Sequence, residues 1–504
     1  MENYNITTVK DELLSGLTTS FALMPECIAF AIVAHLDPLV GIYTAAIICL
    51  ITAILGGRPA MISGAAGSVA VVSVALVITY GVEYLYLAVI LMGIIQIIVG
   101  LLKLPKFIRL VPQSVVYGFL NGLAIIIFLS QFNQFKLSNG AWIEGYPLLI
   151  MIVLVIISMV IMYFLPKFTK KVPSALISII VTTIITIILG FKTKTIGDIA
   201  GVSAGLPSFH IPMVAITPES IMIVLPYAIL MAAVGLIETL LTLNVVDEIT
   251  ETRGKANRES IGQGIANTFC GFFQGMGGCA MIGQTMVNLE SGGRKRLSGI
   301  SAGIVLILII LYGASLIDLI PVAALVGIMF IVALNTFKWS SLKMLKHAPK
   351  TDKIVMVIVT VVTVVLNNLA IAVFIGVIIS ALNVAWQASK RILVIPTFDE
   401  KNKVQYYEIR GPLFFGSTTN FKEAFDFNIS ADTVVINFLQ SRVADQSAII
   451  VIGEVVNKYS SKGIKVYLSH LSQDCSELLK ENSEFVQVDV LDNPFYKIPS
   501  DELD

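Results

Sequence analysis

A carboxylate and a hydroxyl deep inside an apolar stretch are the clearest candidates for chemistry. Glu238 lies in LPYAILMAAVGLIETLLTLNVV, and Thr242 follows four residues later, so a helix would place both side chains on one face. A carboxylate within a membrane span is costly and usually marks an ion or proton path. Oxygen ligands suit a hard cation such as Na⁺, and the second oxygen from Thr242 slightly favours Na⁺. A protonatable Glu238 would instead suit H⁺ coupling.

A second carboxylate follows a proline in the first apolar segment. Glu26 comes directly after Pro25 in SFALMPECIAFAIV, and a proline in a helix interior frees a carbonyl group and usually kinks the helix. Glu26 is therefore a candidate to line a cavity or to act as a gate. Gln284, an amide in GGCAMIGQTMVNLESGG, is a second such candidate, with capping of its own segment as the alternative.

Two segments rich in small residues predict an anion site formed by the backbone. One begins with GAAGS at residues 64–68, and the other contains GGCA at 277–280 and is too short to cross a bilayer as a helix. A helix that starts inside the membrane points free N–H groups and the positive end of its dipole into the cavity. Two facing helix starts would hold a small anion without a basic side chain.

The composition of the 504-residue chain is typical of a membrane protein. Hydrophobic residues make up 56% of it, charged residues only 13%, and its mean hydropathy is +0.86, whereas soluble proteins are about 25% charged. The net charge of zero gives no indication of nucleic-acid binding. We expect no signal peptide, no paired cysteines, no enzyme and no cofactor, because the corresponding motifs are missing from the sequence.

Fourteen apolar segments predict an α-helical polytopic protein with two halves of seven spans. The first seven lie near residues 13–33, 38–55, 64–80, 84–104, 112–132, 146–165 and 172–190. The second seven lie near 220–245, 260–274, 279–290, 298–316, 321–336, 353–369 and 370–388. An odd number of spans per half inverts one half relative to the other. The glycine-rich segments are the third span of each half, the position that indicates a midplane binding site in inverted repeats.

Basic residues set the expected orientation. With Lys10 in the cytoplasm, 19 lysines and arginines of the transmembrane part fall inside, and three, Lys136, Lys192 and Lys194, fall outside. This bias predicts cytoplasmic termini in a cell membrane, inner or plasma. The charge run after the eighth span is expected to be a solvated loop. Its members are Asp247, Glu248, Glu251, Arg253, Lys255, Arg258 and Glu259.

The tail has the composition of a soluble domain. VQYYEIR and PLFFGS predict two short strands, DTVVINFL a buried strand, and SAIIVIGEVVNKYSS an amphipathic helix. This alternation predicts one small α/β domain. The expected division is a transmembrane domain at 1–390 and a cytoplasmic domain at 391–504.

The whole chain resembles the sulfate permease (SulP) family of anion transporters. The resemblance rests on SGLTTSFALMPECIAFAIV, GGRPAMISGAAGSVAVV and NRESIGQGIANTFCGFFQGMGGCAMIGQ, and on GPLFFGS and DQSA in the tail, which looks like the family's STAS domain. It implies seven-plus-seven inverted repeats and a homodimer. It also implies an elevator-type mechanism, in which a core of spans 1–4 and 8–11 moves against a gate of spans 5–7 and 12–14.

Within the family, GGRPAMISGA, VDEITETRG and GGCAMIGQ look most like the sodium-dependent bicarbonate transporters. This resemblance implies that bicarbonate lies between the third and tenth spans, with Na⁺ beside it. The implied anion contacts are Ala66, Gly67, Ser68, Cys279 and Ala280. The implied Na⁺ ligands are Glu238, Thr242 and the backbone of Gly278, Cys279 and Ala280.

One residue departs from that resemblance. Glu238 stands where the bicarbonate transporters are expected to have an aspartate, and a glutamate is also familiar in proton-coupled relatives. The tenth span lacks the arginine of many animal members, so a bound cation would supply the positive charge. The leading hypothesis is Na⁺-coupled bicarbonate uptake. The alternatives are an H⁺-coupled sulfate or dicarboxylate symporter and an uncoupled anion exchanger or channel.

The tail contains one candidate regulatory position. In anti-sigma antagonists the serine after an Asp-x motif is phosphorylated, and the matching residue is Ser447 in Asp445-Gln446-Ser447. The alternative is that Ser447 caps the helix that follows. A cytoplasmic regulator of the STAS domain is accordingly an expected partner, together with the anion and the lipid bilayer.

Overall fold

The chain forms two compact units in the computed structural model. The structure describes residues 5–136, 140–168, 173–199, 205–366, 369–472, 475, 478–479 and 489–490. One unit comprises Met1–Val377 and the other Ile378–Asp504.

The helices reproduce the predicted spans in order. The first half contains α1 (Ile6–Val33), α2 (Pro38–Leu55), α3 (Gly67–Tyr80), α4 (Val82–Leu101), α5 (Gln113–Ser130), α6 (Tyr146–Phe168), α7 (Ser174–Ile188) and the short connecting helix α8 (Ile196–Ile199). The second half contains α9 (Pro218–Thr250), α10 (Ala256–Phe272), α11 (Ile282–Glu290), α12 (Arg296–Asp318), α13 (Val322–Thr336), the short connecting helix α14 (Ser340–His347), α15 (Lys350–Leu366) and α16 (Leu369–Ser389). Within the described residues, nine helices are long and apolar enough to cross a membrane, and α3 and α7 are shorter apolar helices.

The membrane helices pack in two groups. In the first group α4 lies along α10, and α12 packs against both α1 and α2. In the second group α5 packs against α13 and α15, and α13 also contacts α6 and α7. The groups meet mainly where α1 passes α13 and α7, and where α3 passes α5.

Two three-residue strands lie in the first group. β1 (Ser63–Ala65) precedes α3, and β2 (Gly278–Ala280) precedes α11. They pair antiparallel, with Gly64 opposite Cys279. One residue separates each strand from its helix, so the third and tenth spans share the same strand-then-helix construction.

A buried glutamate ties the first helix to the start of α12. Glu12 is 1% exposed, and its carboxylate accepts hydrogen bonds from the backbone N–H groups of Arg294 (2.6 Å), Lys295 (2.8 Å) and Ser298 (2.9 Å). These N–H groups belong to a helix start and have no partners within the helix. The Glu12 carboxylate therefore provides hydrogen-bond acceptors for the N-terminal end of α12, and its negative charge complements the positive end of the helix dipole.

Replacement of Glu12 by glutamine is expected to lower stability by about 2 kcal/mol, since a neutral amide accepts weaker hydrogen bonds than a carboxylate. The measurement is the thermal unfolding midpoint of the purified protein in detergent. Asp11→Asn is the matched control, because Asp11 precedes Glu12 in the sequence and its side chain is exposed. This substitution should leave the midpoint unchanged. An unchanged midpoint for Glu12→Gln would contradict the capping role.

The charge run after the eighth span is not uniformly solvated, which corrects the expectation. Glu259 is 1% exposed and accepts hydrogen bonds from the backbone N–H groups of Gly57 (2.7 Å) and Arg58 (3.0 Å). The Arg58 side chain, 7% exposed, lies 3.2 Å from the Asp247 carboxylate. These contacts fasten the loop between α2 and β1 to α9 and α10, and they bury Glu259 and Arg58.

The second unit contains a mixed sheet of five described strands in the order β3 to β7. The strands are β3 (Leu393–Asp399), β4 (Val404–Leu413), β5 (Thr433–Val443), β6 (Lys465–Ser469) and β7 (Asp489–Val490). β3 is antiparallel to β4, and the other neighbours are parallel. Two further helices are α17 (Thr418–Glu423) and α18 (Gln446–Ser460), whose buried face includes Ile452 and Tyr459.

Two details of the tail differ from the sequence-based expectation. The first strand, β3, was not predicted. VQYYEIR and the Pro-Leu of PLFFGS form one long strand, β4, because Gly411, with φ of +94°, lets the strand continue past an irregularity in its pairing with β5.

Candidate functional site

The predicted cation and anion residues meet at the start of α3. One carboxylate oxygen of Glu238, Oε2, accepts a hydrogen bond from the Ser68 hydroxyl at 2.5 Å and from the Cys279 thiol at 3.3 Å. Ser68 and Cys279 are buried, whereas Glu238 is partly accessible. A single side chain thus links α9 to both glycine-rich segments.

Thr242 lies one turn further along α9, beside β2. Its hydroxyl is within hydrogen-bond distance of the backbone carbonyls of Glu238 (2.8 Å) and Ala280 (3.3 Å). The Thr242 hydroxyl donates its single hydrogen to one of these carbonyls, and the lone pairs of its oxygen remain available to a cation. Thr239, which the sequence analysis did not single out, accepts a hydrogen bond from the Ala280 N–H at 3.2 Å.

Cys279 and Ala280 lie in a strand, not in the first turn of the half-helix, and this corrects where the helix of the tenth span was expected to begin. Helix α11 begins at Ile282, because the preceding residues are held in β2 by pairing with β1 and by Thr239. On the other side Ala66 is the N-cap residue of α3, and Gly67 and Ser68 form its first turn.

Gly278 is held by a cluster of buried amides that the sequence analysis missed. Its carbonyl accepts hydrogen bonds from the side chains of Gln263 and Asn267, each at 3.0 Å, and its N–H donates to Asn267 at 2.9 Å. Asn267 also donates to Gln96 on α4 at 2.8 Å. With two donors on its carbonyl, Gly278 holds the strand in place, and the β2 carbonyl in contact with Thr242 is that of Ala280. Amides within apolar spans were the signal that could have identified this cluster.

A second carboxylate contact lies at the start of α11. The Gln284 amide donates a hydrogen bond to Glu26 on α1. Glu26 is 20 residues after the start of α1, and Glu238 is 20 residues after the start of α9. The first span of each half therefore places a glutamate against the first turn of the other half's half-helix, so the two contacts are related by the inverted repeat.

The glycines of the two half-helices have different surroundings. A Cβ atom at Gly67 would lie 2.7 Å from the Phe30 ring, so packing fills the space that the missing side chain leaves. Gly283 in the first turn of α11 is exposed, and among the described residues a Cβ atom there would have no neighbour within 4 Å. Room for a ligand is therefore present beside α11 and is restricted at Gly67.

The candidate regulatory serine does not cap its helix. The N-cap of α18 is Asp445, whose carboxylate accepts hydrogen bonds from the N–H groups of Ala448 (2.9 Å) and Phe415 (2.7 Å). Ser447 is exposed and lines a groove between α17 and α18 together with Lys422 and Lys458. Its phosphorylation stays a prediction.

Comparison with known proteins agrees with the architecture. The chain matches the model of the sulfate permease family over residues 9–141 and 142–392, and that of the STAS domain over residues 396–491. It is 43% identical over 473 residues to the "Putative sulfate transporter YbaR" of Bacillus subtilis, covering 94% of this chain and 97% of that protein. It is 28% identical over 497 residues to the bicarbonate transporter BicA of Synechocystis sp., covering 91% of this chain and 88% of that protein.

Two solved structures share the fold. The transmembrane domain of a cyanobacterium bicarbonate transporter BicA superposes with a TM-score of 0.65 at 32% identity, covering 74% of this chain and 98% of that chain. SLC26A9 gives a TM-score of 0.81 at 17% identity, covering 96% of this chain and 88% of that chain. The helical membrane fold with a C-terminal STAS domain is thereby confirmed.

Proposed function

Since the chain belongs to the sulfate permease family of anion transporters, we propose that it takes up bicarbonate together with Na⁺. The anion would lie between the first turns of α3 and α11, where the N–H groups of two helix starts provide donors. Na⁺ would lie between the Glu238 carboxylate, the Thr242 hydroxyl and the carbonyls of Cys279 and Ala280.

The observation that supports this proposal most directly is the contact of Glu238 with Ser68 and Cys279. When ionised, the carboxylate places a negative charge against a helix start that would receive an anion. A cation bound at Glu238 would neutralise it and allow the anion to bind nearby. Binding of the two ions would then be coupled, as symport requires. The similarity of this chain to BicA supports bicarbonate as the anion.

The second candidate is an H⁺-coupled symporter of sulfate or a dicarboxylate. The identity of 43% to a protein named for sulfate transport favours it. A proton on Glu238 would neutralise the same carboxylate without any further oxygen ligand. The two candidates therefore differ in what occupies Glu238 and agree on where the anion binds.

One transport panel separates them. The protein in proteoliposomes is offered labelled bicarbonate, sulfate or fumarate while a Na⁺ gradient or a pH gradient is imposed separately. We expect an inward Na⁺ gradient to raise bicarbonate uptake at least tenfold over an equal K⁺ gradient. Sulfate or fumarate uptake driven by external acid would select the second candidate, and anion flux that responds to neither gradient would indicate an uncoupled exchanger or channel.

We also propose an elevator movement, which the packing of the helices supports. One group (α1–α4 and α9–α12) contains every residue of the ion sites, and the other contains α5–α7, α13 and α15. The sparser contacts between them are compatible with sliding of one group past the other. We place the termini in the cytoplasm on the charge bias, and we propose a homodimer and a regulator of the STAS domain on the family resemblance.

A further inference from the structure

The three basic residues assigned to the outer face converge on one cavity. Lys136, Lys192 and Lys194 come from two separate loops, one after α5 and one after α7. All three line a cavity of about 610 Å³ at the ends of α6 and α13. Three lysines that line one cavity give it a positive potential, which favours the binding of an anion.

One carboxylate shares the cavity, and it is already hydrogen-bonded. Asp198 accepts hydrogen bonds from the backbone N–H (2.8 Å) and hydroxyl (3.0 Å) of Thr195. These bonds hold the pKa of Asp198 below its usual range, so it is ionised at neutral pH. Three lysines and one aspartate leave two net positive charges among the lining residues.

Apart from Thr193, the rest of the lining is apolar, and it lies beside exposed aromatic residues. Ile143, Pro147 and Met151 form one wall. Trp142 is 53% exposed and Tyr146 is 66% exposed. Aromatic residues of this kind lie at the level of the lipid headgroups, and a cavity lined by both lysines and apolar side chains matches an amphiphilic anion better than a small hydrated one.

We propose that this cavity binds the phosphate group of an anionic membrane lipid. The lysines would contact the phosphate oxygens, and the wall formed by α6 would cover the upper part of the lipid. Free inorganic phosphate and sulfate present the same oxyanion chemistry, and the experiment separates these sources. The site is lined mainly by residues of the second helix group and its connecting loops, and it is independent of which anion the protein transports.

The test uses the full-length protein in a neutral detergent and follows thermal unfolding with added phosphatidylglycerol, phosphatidylcholine, inorganic phosphate or sulfate. We expect phosphatidylglycerol to raise the midpoint and phosphatidylcholine to leave it unchanged. The double variant Lys192→Gln/Lys194→Gln should need about 30-fold more phosphatidylglycerol, since each lysine facing an anionic lipid contributes a factor of about five. Both side chains are exposed, so this variant should fold normally.

Lys401→Gln/Lys465→Gln is the control, because it removes the same charge from exposed positions of the tail. It should respond to phosphatidylglycerol as the unmodified protein does. In the contrary result, inorganic phosphate or sulfate stabilises the protein through Lys192 and Lys194 while phosphatidylglycerol has no effect. That result would overturn the proposal of a lipid ligand and assign a free oxyanion to the cavity. Equal responses of the unmodified protein and the Lys192/Lys194 variant to every addition would overturn the site.

Discussion

Replacement of Glu238 by glutamine is expected to abolish cation-driven anion uptake in a protein that still folds. The amide keeps the shape of the side chain and an oxygen that can accept from Ser68 and Cys279. It cannot carry the charge that attracts Na⁺ or the proton that would replace it. We expect a loss of at least about 100-fold in uptake, which corresponds to about 3 kcal/mol, measured in proteoliposomes with the driving gradient applied.

Two further variants make this result specific. Glu248→Gln removes an exposed carboxylate from the same helix and should transport normally. Glu238→Asp keeps the charge but shortens the side chain, so it should retain Na⁺-driven uptake with reduced apparent affinity for Na⁺. Normal gradient-driven uptake by Glu238→Gln would show that the carboxylate takes no part in coupling to either Na⁺ or H⁺.

Gly278→Ala is expected to prevent formation of the site altogether. A Cβ atom at this position would lie 1.9 Å from the Gly64 carbonyl oxygen and 2.8 Å from its carbon. Neither strand can move aside easily, because β1 and β2 are paired and Gly278 is held by Gln263 and Asn267. Overpacking against rigid backbone should cost more than about 3 kcal/mol, seen as a lower unfolding midpoint and loss of monodisperse protein.

Gly313→Ala is the matched control, since a Cβ atom there would meet, within the part of the chain that the structure describes, only Ile309, at an ordinary contact distance of 3.5 Å. Alanine is favoured over glycine in a helix by up to about 1 kcal/mol, so this variant should be as stable as the unmodified protein or more so. A Gly278→Ala protein with an unchanged midpoint would show that the two strands tolerate a wider spacing than the structure has.

The order of the helices was predictable because each span is a long local signal. About 20 consecutive apolar residues are needed to cross a bilayer, so α1 and α6 stand out without knowledge of any partner. Glu238 was predictable for the opposite reason, since a carboxylate in such a stretch is conspicuous. The half-helices were recognised from their glycines and from their matching positions in the two halves.

What the sequence did not reveal depends on contacts between distant segments. A three-residue strand has no periodicity to detect, and Gly64 and Cys279 pair across more than two hundred positions of the chain. The amide cluster around Gly278 escaped notice because Asn267 and Gln96 lie in separate helices, 171 positions apart in the sequence. Glu259 was taken for a solvated residue because its partners, the N–H groups of Gly57 and Arg58, lie far away in the sequence.

The pairing of β1 with β2 has a consequence for substrate choice. Main-chain hydrogen bonds hold the two half-helices at a fixed spacing, as in a selectivity filter, where backbone geometry decides which ion fits. Discrimination between anions would then depend on a rigid aperture and little on side-chain chemistry. Relatives could exchange many residues around such an aperture and keep their substrate, while a small change in strand spacing would alter it.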